Sequence, residues 1–276
     1  MANDVVLVAV GCLTGVLAGM LGAGGGFATV VLLLAAGEDT HVAVGTSLVY
    51  LLVMGAWGTF VHLRSRSVDF RLALRIGVAA ALAAVLGAQL AEALSEPDLT
   101  LALGLFTAAV TGASLAWPLN RRPAVEGETV EAIVAGKGTK SAPAGGAGPP
   151  PEPTPREVGA AVVGGGVIGV LKGMFSVGAG FLVVPLMVLA GRVRREVAVG
   201  SSIFAVLFAS VAATLSHANA GAVDWGGLAW MIPGGLFGSF VGTRTGSTMS
   251  SAAIRRVYVA MMVIATVYLA VLASSF

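Results

Sequence analysis

An apolar run of 32 residues, 5–36, contains no Lys, Arg, Asp or Glu but carries five glycines within residues 19–27. A helix of about 20 apolar residues already crosses a bilayer, so the run is longer than one crossing requires. Glycine is a poor helix former, and clustered glycines predict a break in the helix. Non-helical backbone at membrane depth survives only where protein or a water-filled cavity satisfies its polar groups. The run therefore predicts two helical arms joined inside the protein.

The second half of the chain repeats this arrangement. Residues 15–37 align without a gap with residues 169–191, and 12 of the 23 positions are identical. A one-residue shift then pairs VAVGTS at 42–47 with VAVGSS at 197–202. Self-similarity over this length indicates an internal duplication.

Composition places the chain in a membrane. It is 57% hydrophobic and 11% charged, with a mean hydropathy of +0.92, a balance typical of integral membrane proteins. The net charge of +2 comes from arginines at the ends of apolar segments, so no nucleic-acid partner is predicted. The single cysteine, Cys12, excludes an intrachain disulfide and a cysteine-ligated metal site. No metal, cofactor or ATP-binding motif is predicted.

Apolar segments and one polar stretch divide the chain into three parts. The N-terminal repeat covers 1–118 and the C-terminal repeat covers 158–276. Residues 119–157 between them contain seven prolines and no hydrophobic period, which is typical of a flexible linker exposed to water. The apolar segments are 5–36, 41–63, 70–94, 98–117, 158–190, 195–218, 225–248 and 252–273.

Charged loops predict opposite orientations for the two repeats. Cytoplasmic loops collect Lys and Arg. Four arginines lie between residues 62 and 75 of the first repeat, whereas three lie in the non-equivalent loop 191–196 of the second. Both termini are then outside and the linker is cytoplasmic, in a multi-pass protein of the cell inner (plasma) membrane. The predicted fold is an all-α polytopic membrane protein of two inverted repeats, each a glycine-broken re-entrant helical hairpin followed by three transmembrane helices.

The two glycine breaks form the predicted binding site. Each break precedes a helix start, at Phe27 and at Phe181, where free amide groups carry a partial positive charge. Glycine lets a ligand approach the backbone closely, so two such starts that converge between the repeats would bind an anion. The alternative is that the glycines only allow close helix packing, which suits the pair Gly15 and Gly19. The tip residues assigned to the anion are Gly22, Gly24, Gly25, Gly26, Phe27, Ser176, Gly178, Gly180 and Phe181.

Hydroxyl groups and one lysine supplement the predicted site. The pairs Thr46–Ser47 and Ser201–Ser202 open the next helix of each repeat, and their hydroxyls are suited to donate to an anion. The alternative is a hydroxyl that bonds back to its own helix. Lys172 lies within an apolar arm four residues before Ser176, and a cation inside a membrane suggests function. The alternative for Lys172 is a side chain that extends to the inner surface.

Four further polar side chains have weaker assignments. Gln89 and Arg244 occupy equivalent positions and are candidates to line the pathway, although an Arg at the inner surface fits as well. His62 and His217 lie near predicted helix ends, which favours interfacial anchoring over proton coupling. Ser202 and His217 are about four turns apart on one predicted helix, roughly 20 Å, so they cannot act together as nucleophile and base. The chain is therefore not predicted to be an enzyme.

The duplicated glycine tips followed by Phe, with GTS at 45–47 and GSS at 200–202, resemble the TauE/SafE family of membrane transporters, also called sulfite exporters or toluenesulfonate-uptake permeases. The resemblance covers nearly the whole chain outside the linker. It implies secondary transport of small sulfur-containing anions, sulfite or organosulfonates, by alternating access. A passive anion channel remains the alternative. The implied partners are the small anion and the lipid bilayer, and no oligomeric state is assigned.

Overall fold

The computed structural model describes residues 4–21, 25–63, 70–116, 155–176, 195–246 and 248–275. All regular structure in these ranges is helical. The helices are α1 Asp4–Leu21, α2 Gly26–Ala35, α3 Thr40–Leu63, α4 Phe70–Ala93, α5 Glu96–Ala116, α6 Pro155–Phe175, α7 Arg195–Asn219, α8 Trp225–Gly246 and α9 Ser251–Ala273.

The helices lie where the apolar segments predict them. Each described helix end falls within three residues of the predicted boundary, and the largest difference is the start of α6 at Pro155. Stretches in α4, α5 and α9 are long and apolar enough to cross a membrane. Large apolar side chains also stay exposed on helix surfaces, such as Leu82 at 67% and Ile264 at 69%. Such exposure suits lipid rather than water, so the chain is a membrane protein whose described regular structure is helical.

The first apolar run breaks between α1 and α2. Helix α1 ends at Leu21, and Gly25 caps the beginning of α2 without a side-chain hydrogen bond. Gly25 has a φ of 44°, in the left-handed region that glycine enters at little cost. A Cβ at Gly25 would lie only 3.0 Å from the Thr14 carbonyl oxygen. The chain then reverses through Gly37, with a φ of 90°, into α3.

Helices α1 and α8 pack along each other and run parallel. A Cβ added to Gly11 would meet the Met231 carbonyl oxygen, and one added to Gly19 would meet the Ser239 carbonyl oxygen. Residue numbers thus rise together along the contact. Small residues let membrane helices bring their backbones this close. The glycines of this seam include Gly11, Gly15, Gly19, Gly234, Gly238, Gly242 and Gly246.

Helices α4 and α6 form a second parallel seam. A Cβ added to Gly165 would contact the Ile76 side chain, and one added to Gly173 would meet the Ala84 carbonyl oxygen. The first helix of each half of the chain therefore packs on a later helix of the other half.

Helices α5 and α9 run antiparallel. A Cβ added to Gly104 would lie 3.6 Å from Leu269 Cβ. About two turns further along α5, the hydroxyl oxygens of Thr111 and Thr266 are 3.0 Å apart. Residue numbers rise on one helix as they fall on the other, so the end of α9 lies beside the beginning of α5.

One end of the bundle gathers carboxylates, and we call it the acidic face. The Thr40 amide donates to Glu96 Oε1 at 2.9 Å, which joins the beginnings of α3 and α5. The Asp224 amide donates to Thr46 Oγ1 at 2.9 Å, which joins the loop before α8 to the same end of α3. Loops 36–39, 94–95 and 220–224 contain no Lys or Arg. The carboxylates of the acidic face are Glu38, Asp39, Glu92, Glu96, Asp98 and Asp224.

Candidate functional site

The described parts of the two broken segments meet at Gly26 and Ser176. A Cβ added to Gly26 would collide with the Ser176 carbonyl oxygen and with Leu51 Cδ1, so only a glycine fits there. Gly26 begins α2, Ser176 follows the end of α6, and Leu51 belongs to α3. Two predicted tip residues that are 150 positions apart in sequence are therefore in contact.

The beginning of α2 brings free amide groups to this contact. The Thr29 amide donates to the Gly25 carbonyl at 2.9 Å and is the first such bond of the helix. The amides of Gly26, Phe27 and Ala28 precede it, and no acceptor for them is found within the described ranges. Phe27 and Ala28 are buried. A helix start of this kind, shielded from water, attracts an anion.

Ser176 combines backbone strain with an unpartnered hydroxyl. It has a φ of 53° and is the one non-glycine residue with positive φ in the described part of the chain. Its side chain is fully buried, and its Oγ has no hydrogen-bond partner among the described residues. The left-handed conformation costs a serine about 1 kcal/mol. Backbone strain and a buried hydroxyl without a partner in the described part both indicate a ligand-binding site.

Lys172 lies one turn before Ser176 on α6. The Ser176 amide donates to the Lys172 carbonyl at 2.9 Å. The lysine side chain is buried, at 1% exposed, so it does not extend to the inner surface as the alternative predicted. No ion pair of its ammonium group is found within the described ranges. A buried cation without a counter-charge is costly, and a bound anion would reduce that cost.

The two hydroxyls of α3 that were predicted to bind the anion are engaged with backbone groups. Thr46 Oγ1 accepts the hydrogen bond from the Asp224 amide at 2.9 Å. Ser47 Oγ donates to the Val44 carbonyl at 2.8 Å, which is the bond to its own helix that the alternative predicted. Both side chains are buried. These contacts hold α3 in place, and an anion-binding role for either hydroxyl stays a prediction.

Several predicted site residues cannot be placed. The backbones of Ser201 and Ser202 belong to α7, but their side chains lie outside the described part. The tip residues outside the described ranges are Gly22, Gly24, Gly178, Gly180 and Phe181, and the linker is outside them up to residue 154.

Gln89 and Arg244 lie on helix surfaces. Both side chains are exposed, unlike Lys172 and Ser176. The Arg244 guanidinium carbon is 4.3 Å from the centre of the Phe240 ring, a cation–π contact within α8. A role for either residue in the pathway stays a prediction.

The prediction of interfacial anchoring is wrong for His217. The residue lies near the end of α7 as expected, but its side chain is fully buried. His217 Nε2 is 2.9 Å from the Gly173 carbonyl oxygen on α6. The sequence does not indicate this contact, because it depends on which helix covers the end of α7. The His62 side chain lies outside the described part.

Sequence reasoning also missed the polar contacts that support the first break. Tyr50 is fully buried on α3, and its hydroxyl donates to the Gly11 carbonyl at 3.0 Å. Thr14 donates to the Tyr50 hydroxyl oxygen at 3.1 Å and lies beside Gly25. A single tyrosine within the apolar stretch 48–55 of α3 is the signal that indicates such a buried bond. No group of His, Cys, Asp and Glu suited to a metal occurs in the described ranges.

Comparison with known proteins assigns the family. A family profile described as "Sulfite exporter TauE/SafE" matches residues 7–269, so the chain belongs to the TauE/SafE family. The probable membrane transporter protein YunE of Bacillus subtilis (strain 168) is 27% identical over 259 residues, which cover 91% of each chain. A probable membrane transporter protein of Xylella fastidiosa (strain 9a5c) is 27% identical over 268 residues, covering 96% of this chain and 94% of its own. No solved structure matches the chain.

Proposed function

We propose that this protein is a secondary transporter of small sulfur-containing anions, sulfite or organosulfonates, and is not an enzyme. The observation that carries the proposal is the contact of Gly26 with Ser176, one turn after Lys172, which is buried and has no ion-pair partner within the described ranges. An anion held there would accept hydrogen bonds from the start of α2 and from Ser176 Oγ. It would also neutralise the lysine. Neutral donors and one cation can bind an anion without binding it too tightly to release.

The substrate class comes from the family. Its profile is named for sulfite export, and the relatives from Bacillus subtilis and Xylella fastidiosa are named probable membrane transporter proteins. A sulfonate or sulfite oxyanion matches the donors of the candidate site in charge and in hydrogen-bonding capacity. The family and the residues therefore support the same class of ligand by separate routes.

Alternating access fits an inverted arrangement of the two halves. Support for that arrangement comes from the seams: α1 runs parallel to α8, and α6 runs parallel to α4. Halves inserted in the same orientation would place these pairs antiparallel. A passive channel is the second candidate, but it requires a continuous wet path. The close packing of Gly26 on Ser176 and Leu51 favours a carrier that opens to one side at a time.

Anion binding to the purified full-length protein tests the proposal. We expect sulfoacetate or sulfite to bind saturably in calorimetry and chloride to compete weakly. Lys172→Met removes the charge but keeps the length of the side chain, and we expect it to weaken binding at least tenfold, about 1.4 kcal/mol, because it removes a charge-assisted contact.

Arg256→Met is the matched control, because it removes an exposed cation from α9. We expect this variant to bind like the unmodified protein. Equal affinity of Lys172→Met and Arg256→Met, in folded and monodisperse samples, would exclude the lysine from the site. Failure of every anion to bind the unmodified protein would contradict the proposed function itself.

A further inference from the structure

The geometry around His217 fixes which ring nitrogen carries a hydrogen. Nε2 is 2.9 Å from the carbonyl oxygen of Gly173 on α6. A carbonyl oxygen only accepts, so Nε2 must donate. On the other side, a Cβ added to Gly45 of α3 would lie 3.3 Å from His217 Cβ. The imidazole is therefore held between α3, α6 and its own helix, and its neutral form has the hydrogen on Nε2.

The second ring nitrogen, Nδ1, then carries a lone pair. His217 Nδ1 is buried and has no hydrogen-bond partner among the described residues. Thr214 Oγ1, three residues earlier on α7, is buried and also lacks one there. Residues three apart on a helix lie on the same side. Buried polar atoms are nearly always paired, so two unpaired atoms on one side of α7 indicate a group still to be bound.

Titratable groups lie on each element around His217, and two of them are shown to act on its charge. Glu92 at the end of α4 and His41 at the beginning of α3 are close enough to act on its charge. Lys172 on α6 directly precedes the glycine that His217 contacts, and Asp224 lies in the loop that follows α7. Burial is the largest effect and opposes a protonated ring, and a protonated His41 opposes it too, whereas the Gly173 carbonyl and Glu92 favour it. The negative charge of an anion bound at the end of α6 would also favour the protonated ring, so anion and proton would favour each other's binding.

We infer that His217 is a proton-binding residue of this carrier and that one proton travels with the anion. The inference rests on the proposed function and names its coupling ion. A proton from water on one side binds the Nδ1 lone pair and gives an imidazolium with both nitrogens protonated. The same proton leaves Nδ1 to water on the other side. Because burial opposes the charged ring, protonation of His217 depends on the favourable charges of Glu92 and of the bound anion.

Flux in proteoliposomes that contain the full chain tests the inference. Counterflow of radiolabelled sulfoacetate at equal pH on both sides reports the carrier alone. Uptake with acid outside, at a membrane potential clamped to zero, reports proton coupling. We expect the acid gradient to stimulate uptake several-fold in the unmodified protein. His217→Gln retains a donor for the Gly173 carbonyl but binds no proton, so we expect it to keep counterflow and to lose the stimulation.

His41→Gln is the matched control, because it removes a neighbouring histidine that makes no such contact. We expect it to keep both counterflow and stimulation. Stimulation that persists in His217→Gln, or that is absent from an unmodified protein active in counterflow, would overturn the inference. Absence of counterflow in the unmodified protein would instead contradict the proposed function.

A binding measurement needs no variant. Sulfoacetate affinity of the unmodified protein should be higher at about pH 6 than at about pH 8, with proton uptake visible in buffers of different ionisation enthalpy. Equal affinity at both pH values without proton uptake would overturn the inference even if His217→Gln fails to fold.

Discussion

Ser176 bears two costs that a glycine at the same position would avoid. Its backbone is left-handed, with a φ of 53°, and its buried hydroxyl lacks a partner in the described part. Its counterpart in the first half is Gly22, which has neither a Cβ nor a hydroxyl. The two tips therefore differ in chemistry, and the serine is suited to donate to a bound anion.

Two substitutions at Ser176 distinguish the effect of backbone strain on stability from the effect of the buried hydroxyl. Ser176→Gly removes both the strain and the hydroxyl, whereas Ser176→Ala removes only the hydroxyl. We expect the glycine variant to be more stable than the alanine variant by about 1 kcal/mol, or roughly 2–4 °C in apparent Tm. Thermal unfolding of the two variants in the same detergent measures this difference. Coincident unfolding curves would show that residue 176 is not strained in solution.

Lys172 and His217 show which features of single residues can be predicted from the sequence. Lys172 is assigned to the site because a cation in an apolar helix is rare. Its burial excludes the alternative of a side chain at the surface, and its role in anion binding stays a prediction. His217 was assigned to an interface from its position near a helix end, and that was wrong. A helix end lies near the surface only if nothing covers it, and here α6 does. Burial through tertiary packing leaves no local trace in the sequence.

At the scale of helices, glycines spaced by four residues decide which surfaces touch. In α6, Gly165, Gly169 and Gly173 face α4, and a Cβ on any of them would meet that helix. Gly166 lies in the same helix with nothing within 4 Å of an added Cβ. One helix thus carries glycines that packing requires and a glycine that it does not.

Alanine substitutions within α6 distinguish the two kinds of glycine. Gly169→Ala would place its Cβ against the Ala80 carbonyl oxygen, so the helices must separate, and we expect a loss of about 1–3 kcal/mol. Gly166→Ala meets open space and favours the helix, so we expect unchanged stability or a gain of up to about 1 kcal/mol. Thermal unfolding of both variants tests this contrast. Equal destabilisation by the two alanines would mean that α4 and α6 do not pack closely.

Helix bounds were predictable, but helix pairing was not. Hydropathy and glycine clusters place every described helix end within three residues, because the bilayer fixes the length of an apolar segment. The sequence offers packing as the alternative role of the glycines, and it suits Gly15 and Gly19 best. The matching glycines of α8, from Gly234 to Gly246, are visible in the sequence, but nothing local specifies their partner. The contact of Gly26 with Ser176 followed only from combining the duplication with the reversed loop charges.

At the scale of the whole molecule, charge separates the two ends of the bundle. The described loops of the acidic face contain no Lys or Arg, while arginines gather in 62–75, 191–196 and 255–256. Cationic loops stay in the cytoplasm. The acidic face should therefore lie outside the cell, together with both chain termini.

Cysteine accessibility in intact cells tests this orientation. In a Cys12→Ala background, we expect Glu38→Cys and Ser275→Cys to react with a membrane-impermeant maleimide, because both lie at the acidic face. Ser141→Cys in the linker and Thr248→Cys after α8 should react only once the membrane is permeabilised. Labelling of all four positions from one side would contradict the opposite orientation of the repeats.

The first helix of each half packs on a helix of the other half, and this has a consequence for the evolution of such a chain. Helix α1 covers its glycines with α8, and α6 covers its own with α4, so neither half is complete without the other. A single half made as a separate polypeptide would leave that surface bare. A second copy inserted upside down would cover it. If the halves arose by inverted duplication, a single unit would have needed a second copy to cover its glycines, and the linker would tether two parts that otherwise had to meet as separate molecules.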